Sequence, residues 1–451
     1  GLGVIIDVVY NHFGPGEICP RYSADYYSAR PRNEWGRSMN FDGNNSGPVR
    51  EFFTSNAAYW IDEFHFDGLR IDATQALLDD SPEHIVTALG KAARRAAGDR
   101  RILLVSENER QESFQVRSPE KGEGYGLDAL WNDDFHHSAR VALTGRREGY
   151  FHDHRGRAQE FVSAARHGYL FQGQRDDWQD GSRGHVGLDL TPANFIHFIQ
   201  NHDQVANTPG SRRCSQLASP AMLRAMSALL LLGPQSPMLF QGQEFGATTI
   251  FTYFLDQEGD QAKEVWEGRR QSGRQFPSLD SEGGQETILP PHERATFESS
   301  KLDWTESERN REVVDLHRDL LKLRRDTPAF RRSQGQRSVD GSVLSERAML
   351  LRFFGEAPEE DRVLLVNLGN DLPLRSIPDP LWAPPPGRKW DLEWSSEEPR
   401  YGGSGQRVLD THESWVLTAH TTLLFALKEG ERRALPDKPE LDRYQHDLRE
   451  M

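Results

Sequence analysis

The chain has 451 residues, with 54 basic and 69 acidic side chains and a net charge of −15. That balance argues against nucleic acid as a partner and for a soluble protein of two or three domains with a large core. Two cysteines, Cys19 and Cys214, offer no disulfide framework and fit a reducing, cytoplasmic setting; no signal peptide opens the chain and no apolar run reaches membrane-spanning length, so no membrane partner is expected.

Gly1 leads directly into an apolar strand over residues 1–9 that carries Asp7. A domain rarely opens in mid-core, so a preceding segment is expected. A loop rich in Gly, Pro, Tyr and Asn follows, from Asn11 to about Pro48. Val49–Phe64 has helical periodicity, with Phe52, Phe53, Ala57, Tyr59, Trp60, Ile61 and Phe64 on one side. It runs into a short buried strand over residues 66–72. Ser81–Ala97 is expected to be a helix with Ser81 as N-cap and Pro82 at its first position. Ile102–Val105 is an uninterrupted apolar strand ending at Ser106-Glu107-Asn108-Glu109. Leu127–Trp131 ends in Asn132-Asp133-Asp134, and Phe195–Gln200 ends in Asn201-His202-Asp203-Gln204. A helix over Ser219–Leu232 precedes a strand over Ser236–Phe240.

Six apolar strands with polar C-terminal ends, alternating with helices, predict a parallel sheet covered on both faces. Active sites lie at such strand ends in a barrel and in an open doubly wound sheet alike. No Gly-rich phosphate loop follows any strand, which disfavours nucleotide binding. The fold expected is α/β: a (β/α)8 barrel lacking its first two strands, over residues 1–330, with an insert near 251–300. The region from Tyr253 has a looser pattern and ends in a helix over Glu306–Arg325. Strands over Ser342–Leu351, Arg362–Leu368 and Thr421–Leu427 predict a C-terminal β-sandwich over residues 331–428, and residues 429–451 form a charged tail. An incomplete barrel would expose apolar strand edges and be unstable alone.

Three carboxylates stand at three strand ends: Asp72, Glu107 and Asp203. Arg70 lies two residues from Asp72, on the same side of its strand, and would keep that carboxylate ionised. By itself this pair reads equally as a structural ion pair or as a nucleophile with its supporting cation. Glu107 follows an apolar strand, where desolvation would raise its pKa and suit a general acid. Asp203, beside His202, suits sugar hydroxyls and an oxocarbenium-like transition state. Such a set points to glycoside hydrolysis. A metal site built from His12, His202, Asp72 and Asp203 is the alternative. It lacks the tight spacing of metal motifs, and Arg70 would compete for Asp72, so neither metal nor cofactor is expected.

Asp7-Val8-Val9-Tyr10-Asn11-His12, Gly68-Leu69-Arg70-Ile71-Asp72, Glu107 and Asn201-His202-Asp203 resemble, in order, the four signature regions of the alpha-amylase superfamily. The resemblance implies a retaining mechanism, with Asp72 as nucleophile, Glu107 as acid/base and Asp203 as transition-state stabiliser. It implies that Arg70, His12 and His202 contact the nucleophile or the sugar, with Asp7 and Asn11 in support. Asn11-His12-Phe13-Gly14-Pro15, residues 124–137, Phe276-Pro277-Ser278-Leu279 and residues 394–403 resemble the malto-oligosyltrehalose trehalohydrolase branch. That branch hydrolyses the α-1,4 bond next to the terminal trehalose of malto-oligosyltrehalose. Gln75 and Gln257 depart from the His expected at those positions and bear on leaving-group recognition. The competing readings are an α-glucan branching enzyme, a general α-amylase, and a non-catalytic glucan-binding protein.

Overall fold

The computed structural model describes residues 1–14, 19–30, 36–374, 377, 379–405 and 415–430. Six short strands form one sheet: β1 (Ile5–Val8), β2 (Gly68–Ile71), β3 (Leu103–Ser106), β4 (Ala129–Trp131), β5 (Phe195–Phe198) and β6 (Ser236–Met238). They pair in chain order and every pair is parallel. Parallel neighbours need long crossovers. These contain α1 (Ser46–Asp62) before β2, α2 (Ile85–Ala97) before β3, α3 (Asp133–Thr144) and α4 (Ala158–His167) before β5, and α5 (His202–Ala206) and α6 (Pro220–Leu232) before β6. The sheet is open: β1 and β6 are its two edges, and Ile5 is 41 % exposed on the β1 edge.

β2 is buried at all four residues. It can lie this deep because Gly68 has no side chain; a Cβ there would sit 2.0 Å from the Leu103 carbonyl oxygen. The register sets Asp7 level with Arg70, and Ile71 level with Ser106. The three segments that carry Asp7, Asp72 and Glu107 therefore end side by side.

The helices differ from the sequence expectation in their faces and starts. α1 begins at Ser46 and buries Val49, Phe53, Ala57 and Ile61, a stripe at i, i+4 spacing. Phe52, Tyr59 and Phe64, expected on the buried side, are exposed. α2 begins at Ile85 rather than Ser81, with the His84 side chain accepting the Val86 N–H. Asp79 draws the chain away from an earlier start: its Oδ2 accepts the Ile85 N–H at 2.5 Å, and its Oδ1 accepts the Ser81 N–H at 2.9 Å. Within residues 251–300, α7 (Gly259–Gly273) is the longest helix. The helix expected over Glu306–Arg325 breaks at Asn310, leaving one turn (Glu306–Arg309) and α8 (Arg311–Asp326); α9 (Pro328–Gly335) follows.

The C-terminal region is antiparallel. β7 (Val339–Ser345), β8 (Ala348–Phe353) and β9 (Arg362–Asn367) come first, then β10 (Leu372–Leu374), β11 (Arg388–Ser395), β12 (Trp415–Leu417) and β13 (Thr421–Glu429). Five of them form a sheet in the order β11-β13-β9-β8-β7, and β10 pairs with β12. The single strand expected over Ser342–Leu351 is a hairpin that reverses between Ser345 and Ala348. Of the charged tail, Glu429 closes β13 and residues 431–451 lie outside the described residues. One face of this sheet packs Leu350, Val363, Leu365 and Phe425 against Trp390, Trp415 and Leu417. The alternate side chains Met349, Leu351, Leu364 and Val366 join one core with Phe161 and Val162 of α4 and Leu229–Leu232 of α6. Among the described residues no helix is long and apolar enough to cross a membrane.

Candidate active site

Arg70 is the hub of the strand ends. Its side chain is 6 % exposed, and Nη1 donates to Asp72 Oδ1 and to Asp7 Oδ1, both at 2.7 Å. Nη2 lies 2.8 Å from Glu107 Oε2 but off the direction of its N–H bonds, so that contact is ionic without being a hydrogen bond. The guanidinium also stacks over the Trp131 ring at 4.2 Å, a cation–π contact that closes its other side. Burial would lower the Arg70 pKa, but the Glu107, Asp7 and Asp72 carboxylates outweigh it and raise the pKa. The sequence pairing of Arg70 with Asp72 is thus part of a four-residue cluster.

Asp72 receives a second hydrogen bond, from Asn11 Nδ2 to its Oδ2 at 2.9 Å. Asn11 in turn contacts His12 through its side-chain oxygen. Burial lowers the His12 pKa, against the upward pull of the Asp72 charge. After Asp72 the backbone turns sharply: Ala73 has φ +38°, a left-handed conformation uncommon for a residue with a side chain. That turn aims the Ala73 N–H at Glu107 Oε2, 3.0 Å away. Thr74 follows, its N–H donating to the Glu107 carbonyl at 3.0 Å and its hydroxyl lying 2.8 Å from that of Ser106. The two strand ends are thereby tied together. Gln75 is half-buried close by, and among the described residues its Oε1 has no hydrogen-bond partner.

Glu107 is pushed well above the ordinary carboxylate range. Desolvation is the largest cause; Arg70 opposes it, while the negative charges of Asp72 and Asp203 add to it. Asp203 lies in the first turn of α5, its N–H held by the Asn201 side chain at 3.1 Å. His202 Nε2 lies 3.5 Å from Asp203 Oδ1, and both side chains are roughly half exposed. Asp203 has no ion pair with Arg70 among the described residues and reaches the cluster by its field.

Three further features are not apparent in the sequence. Trp131 and the Ala73 N–H have just been placed. The third is Asp133, which follows β4 in the first turn of α3 and is 8 % exposed. Burial first, then the charges of Glu109, Asp134 and Asp203, push its pKa up to about 7 against the pull of Arg183. Its neighbour Asp134 is spared, because Arg183 Nε (3.0 Å) and the Leu170 and Phe171 N–H groups (2.9 and 2.8 Å) satisfy it. The strand-end position of Trp131-Asn132-Asp133 was a signal for this segment; which carboxylate would be paired was not. Among the described residues no group of three or more His, Cys, Asp or Glu side chains is arranged to hold a metal ion.

Residues 336–416 match a family described as a domain of unknown function (DUF3459). A malto-oligosyltrehalose trehalohydrolase of Deinococcus radiodurans is 36 % identical over 420 residues, covering 91 % of this chain and 66 % of that protein. One from Saccharolobus solfataricus is 36 % identical over 327 residues, covering 72 % and 54 %. The chain therefore spans about half to two thirds of the length of these relatives. A crystal structure from Salmonella typhimurium, described as a candidate alpha amylase, matches with a TM-score of 0.78 at 27 % identity, covering 94 % of this chain and 68 % of that one. A Bacillus subtilis pullulanase in complex with maltose shares the fold, at 18 % identity and a TM-score of 0.56, covering 95 % and 54 %. By these similarities, the chain belongs to the malto-oligosyltrehalose trehalohydrolase family, within the alpha-amylase group of folds.

Proposed function

We propose that the chain carries the catalytic centre of a retaining glycoside hydrolase. It would cleave the α-1,4-glucosidic bond next to the terminal trehalose of malto-oligosyltrehalose and release trehalose. In this reading the six parallel strands are strands of a (β/α)8 barrel, residues 331–428 are a C-terminal β-sandwich, and the partner is an α-glucan. The observation that carries it is the single Arg70 guanidinium spanning Asp72 and Glu107 from two adjacent strand ends. One guanidinium holding both favours the short separation of retaining enzymes, about 5–5.5 Å, over the wider spacing of inverting ones.

Asp72 is the nucleophile: Arg70 and Asn11 fix both of its oxygens, leaving its approach to the anomeric carbon set by the strand end. Glu107, whose hold on a proton is strengthened by desolvation and by its acidic neighbours, donates that proton to the leaving glycosidic oxygen. When Asp72 becomes esterified to the sugar its negative charge disappears. One of the causes that raise Glu107 goes with it, so Glu107 is then better suited to take a proton from the attacking water. Asp203 faces the developing oxocarbenium charge, and His12 and His202 contact the ring. Gln75, whose carbonyl oxygen has no hydrogen-bond partner among the described residues, would accept from a sugar hydroxyl.

Product analysis separates this reading from its rivals. Malto-oligosyltrehalose should give trehalose and a maltodextrin shortened by the same cut. Internal shortening of plain maltodextrin without trehalose, or transfer to new branch points, would replace the proposal with a general amylase or a branching enzyme.

A further inference from the structure

A cavity of about 390 Å³ lies away from the carboxylate cluster, between α6, α8 and the loops that follow β5 and β6. Its size falls within the range of small-molecule sites, about 300–1,000 Å³. Leu223 on α6 and Val313 and Leu316 on α8 supply apolar walls. Two polar atoms in its lining residues are buried and, among the described residues, have no hydrogen-bond partner: Nε2 of His317 and Nε2 of Gln243. Such unmet groups cost free energy unless something occupies the space beside them.

Their chemistry is complementary. His317 is 4 % exposed, and its Nδ1 is 2.9 Å from the Val313 carbonyl, so Nδ1 carries the proton and Nε2 is left as an acceptor. Burial lowers its pKa, which keeps the ring neutral. The Gln243 amide nitrogen is a donor. A ligand must therefore both donate and accept, which a hydroxyl does. The charges nearby offer little to an anion: Arg224 is engaged by both oxygens of Glu397, at 2.8 and 3.0 Å. Apolar walls and unmet polar atoms together match a pyranose, whose faces are apolar and whose edge is a rim of hydroxyls.

We propose that this cavity is a binding site for a neutral hexose, separate from the catalytic cluster and held through His317 and Gln243. One wall is Gln200, whose Oε1 accepts the Cys214 N–H at 3.0 Å. Gln200 immediately precedes Asn201, the cap of α5, so the site lies behind the segment that presents Asp203.

The test is equilibrium dialysis of the chain against radiolabelled d-glucose, comparing the native cavity with one filled by Ser227→Phe from α6. The readout is a difference between two chains, so it does not depend on what the carboxylate cluster binds or cleaves. The native cavity should hold one more equivalent of glucose than the filled one, with millimolar affinity. His317→Phe, which removes the acceptor, should weaken that equivalent about tenfold; it provides the same comparison if Ser227→Phe does not fold. Equal glucose binding by all folded chains, including no binding by any of them, overturns the proposal.

Discussion

Arg70 holds three carboxylates and an aromatic face at once, so it cannot be exchanged for another cation without loss. Glu107 depends on that arrangement in a way that kinetics can read. Glu107→Gln should lower kcat by about 10²–10⁴ while leaving the far-UV spectrum unchanged; undiminished turnover would remove Glu107 from the acid role. The alkaline limb of kcat/KM should lie above the ordinary carboxylate range, because a general acid must hold its proton and this one is raised. Asp203→Asn removes one of the raising charges and should move the limb in residual activity to lower pH. Asp133 gives a thermodynamic counterpart. Its folded pKa of about 7 lies above the ordinary aspartate value of 3.8, so the folded state binds its proton more tightly than the unfolded one. Its stabilising protonation is complete below the unfolded value and is lost as pH rises through the folded one. Asp133→Asn should therefore gain stability relative to the native chain across that window, by no more than roughly 4 kcal/mol, and hold the gain above it. Melting temperatures measured from acid to mildly alkaline pH check this; a difference independent of pH would show that Asp133 is not buried as a free carboxyl.

At the scale of single elements, β2 is the strand on which the site depends, and its weakest tolerance is at Gly68. A methyl group there would meet the Leu103 carbonyl at 2.0 Å, far inside contact distance, and would force β2 and β3 apart. Gly68→Ala should cost at least about 1–3 kcal/mol in denaturant unfolding. It should also lower activity through Glu107, since Glu107 follows β3 and bonds to the turn after β2. A neutral effect would mean that the two strands can separate without disturbing the site. Much of this element pattern could be read from the chain. Continuous apolar runs closed by polar residues mark parallel strands, and that pattern located all six, although the edge strands β1 and β6 are only partly buried. Helix faces were harder. Phe52, Tyr59 and Phe64 of the α1 region are as apolar as Phe53 and Ile61, so composition could not show which side met the sheet. β11 was missed because Arg388-Lys389-Trp390-Asp391-Leu392-Glu393 alternates with charged residues. It pairs with β13 at the edge of its sheet, where one side of the strand remains partly open.

Across the whole molecule, the C-terminal sheet shares one hydrophobic core with α4 and α6. An ion pair buried at the same junction, Arg224 with Glu397, links α6 to the segment after β11; the side chains are 10 % and 8 % exposed. Removing one partner strands the other charge in a dry site. Arg224→Ala should therefore destabilise the protein by about 3–5 kcal/mol, with both sheets lost in one transition. Separate transitions for the two regions would show that the shared core does not couple them. By itself the sequence determined which residues carry charge at strand ends, because strand periodicity and the residue types that stop it are local properties. Asp72, Glu107 and Asp203 could be named from it, as could the pairing of Arg70 with Asp72. Only the tertiary structure decided that Arg70 also binds Asp7 and Glu107, that Ala73 turns its N–H onto Glu107, that Trp131 covers the guanidinium, and that Arg183 bonds to Asp134 rather than to Asp133. Each of these depends on the register between strands far apart in the chain and on how much water the packing excludes, and neither is written in any single stretch of residues.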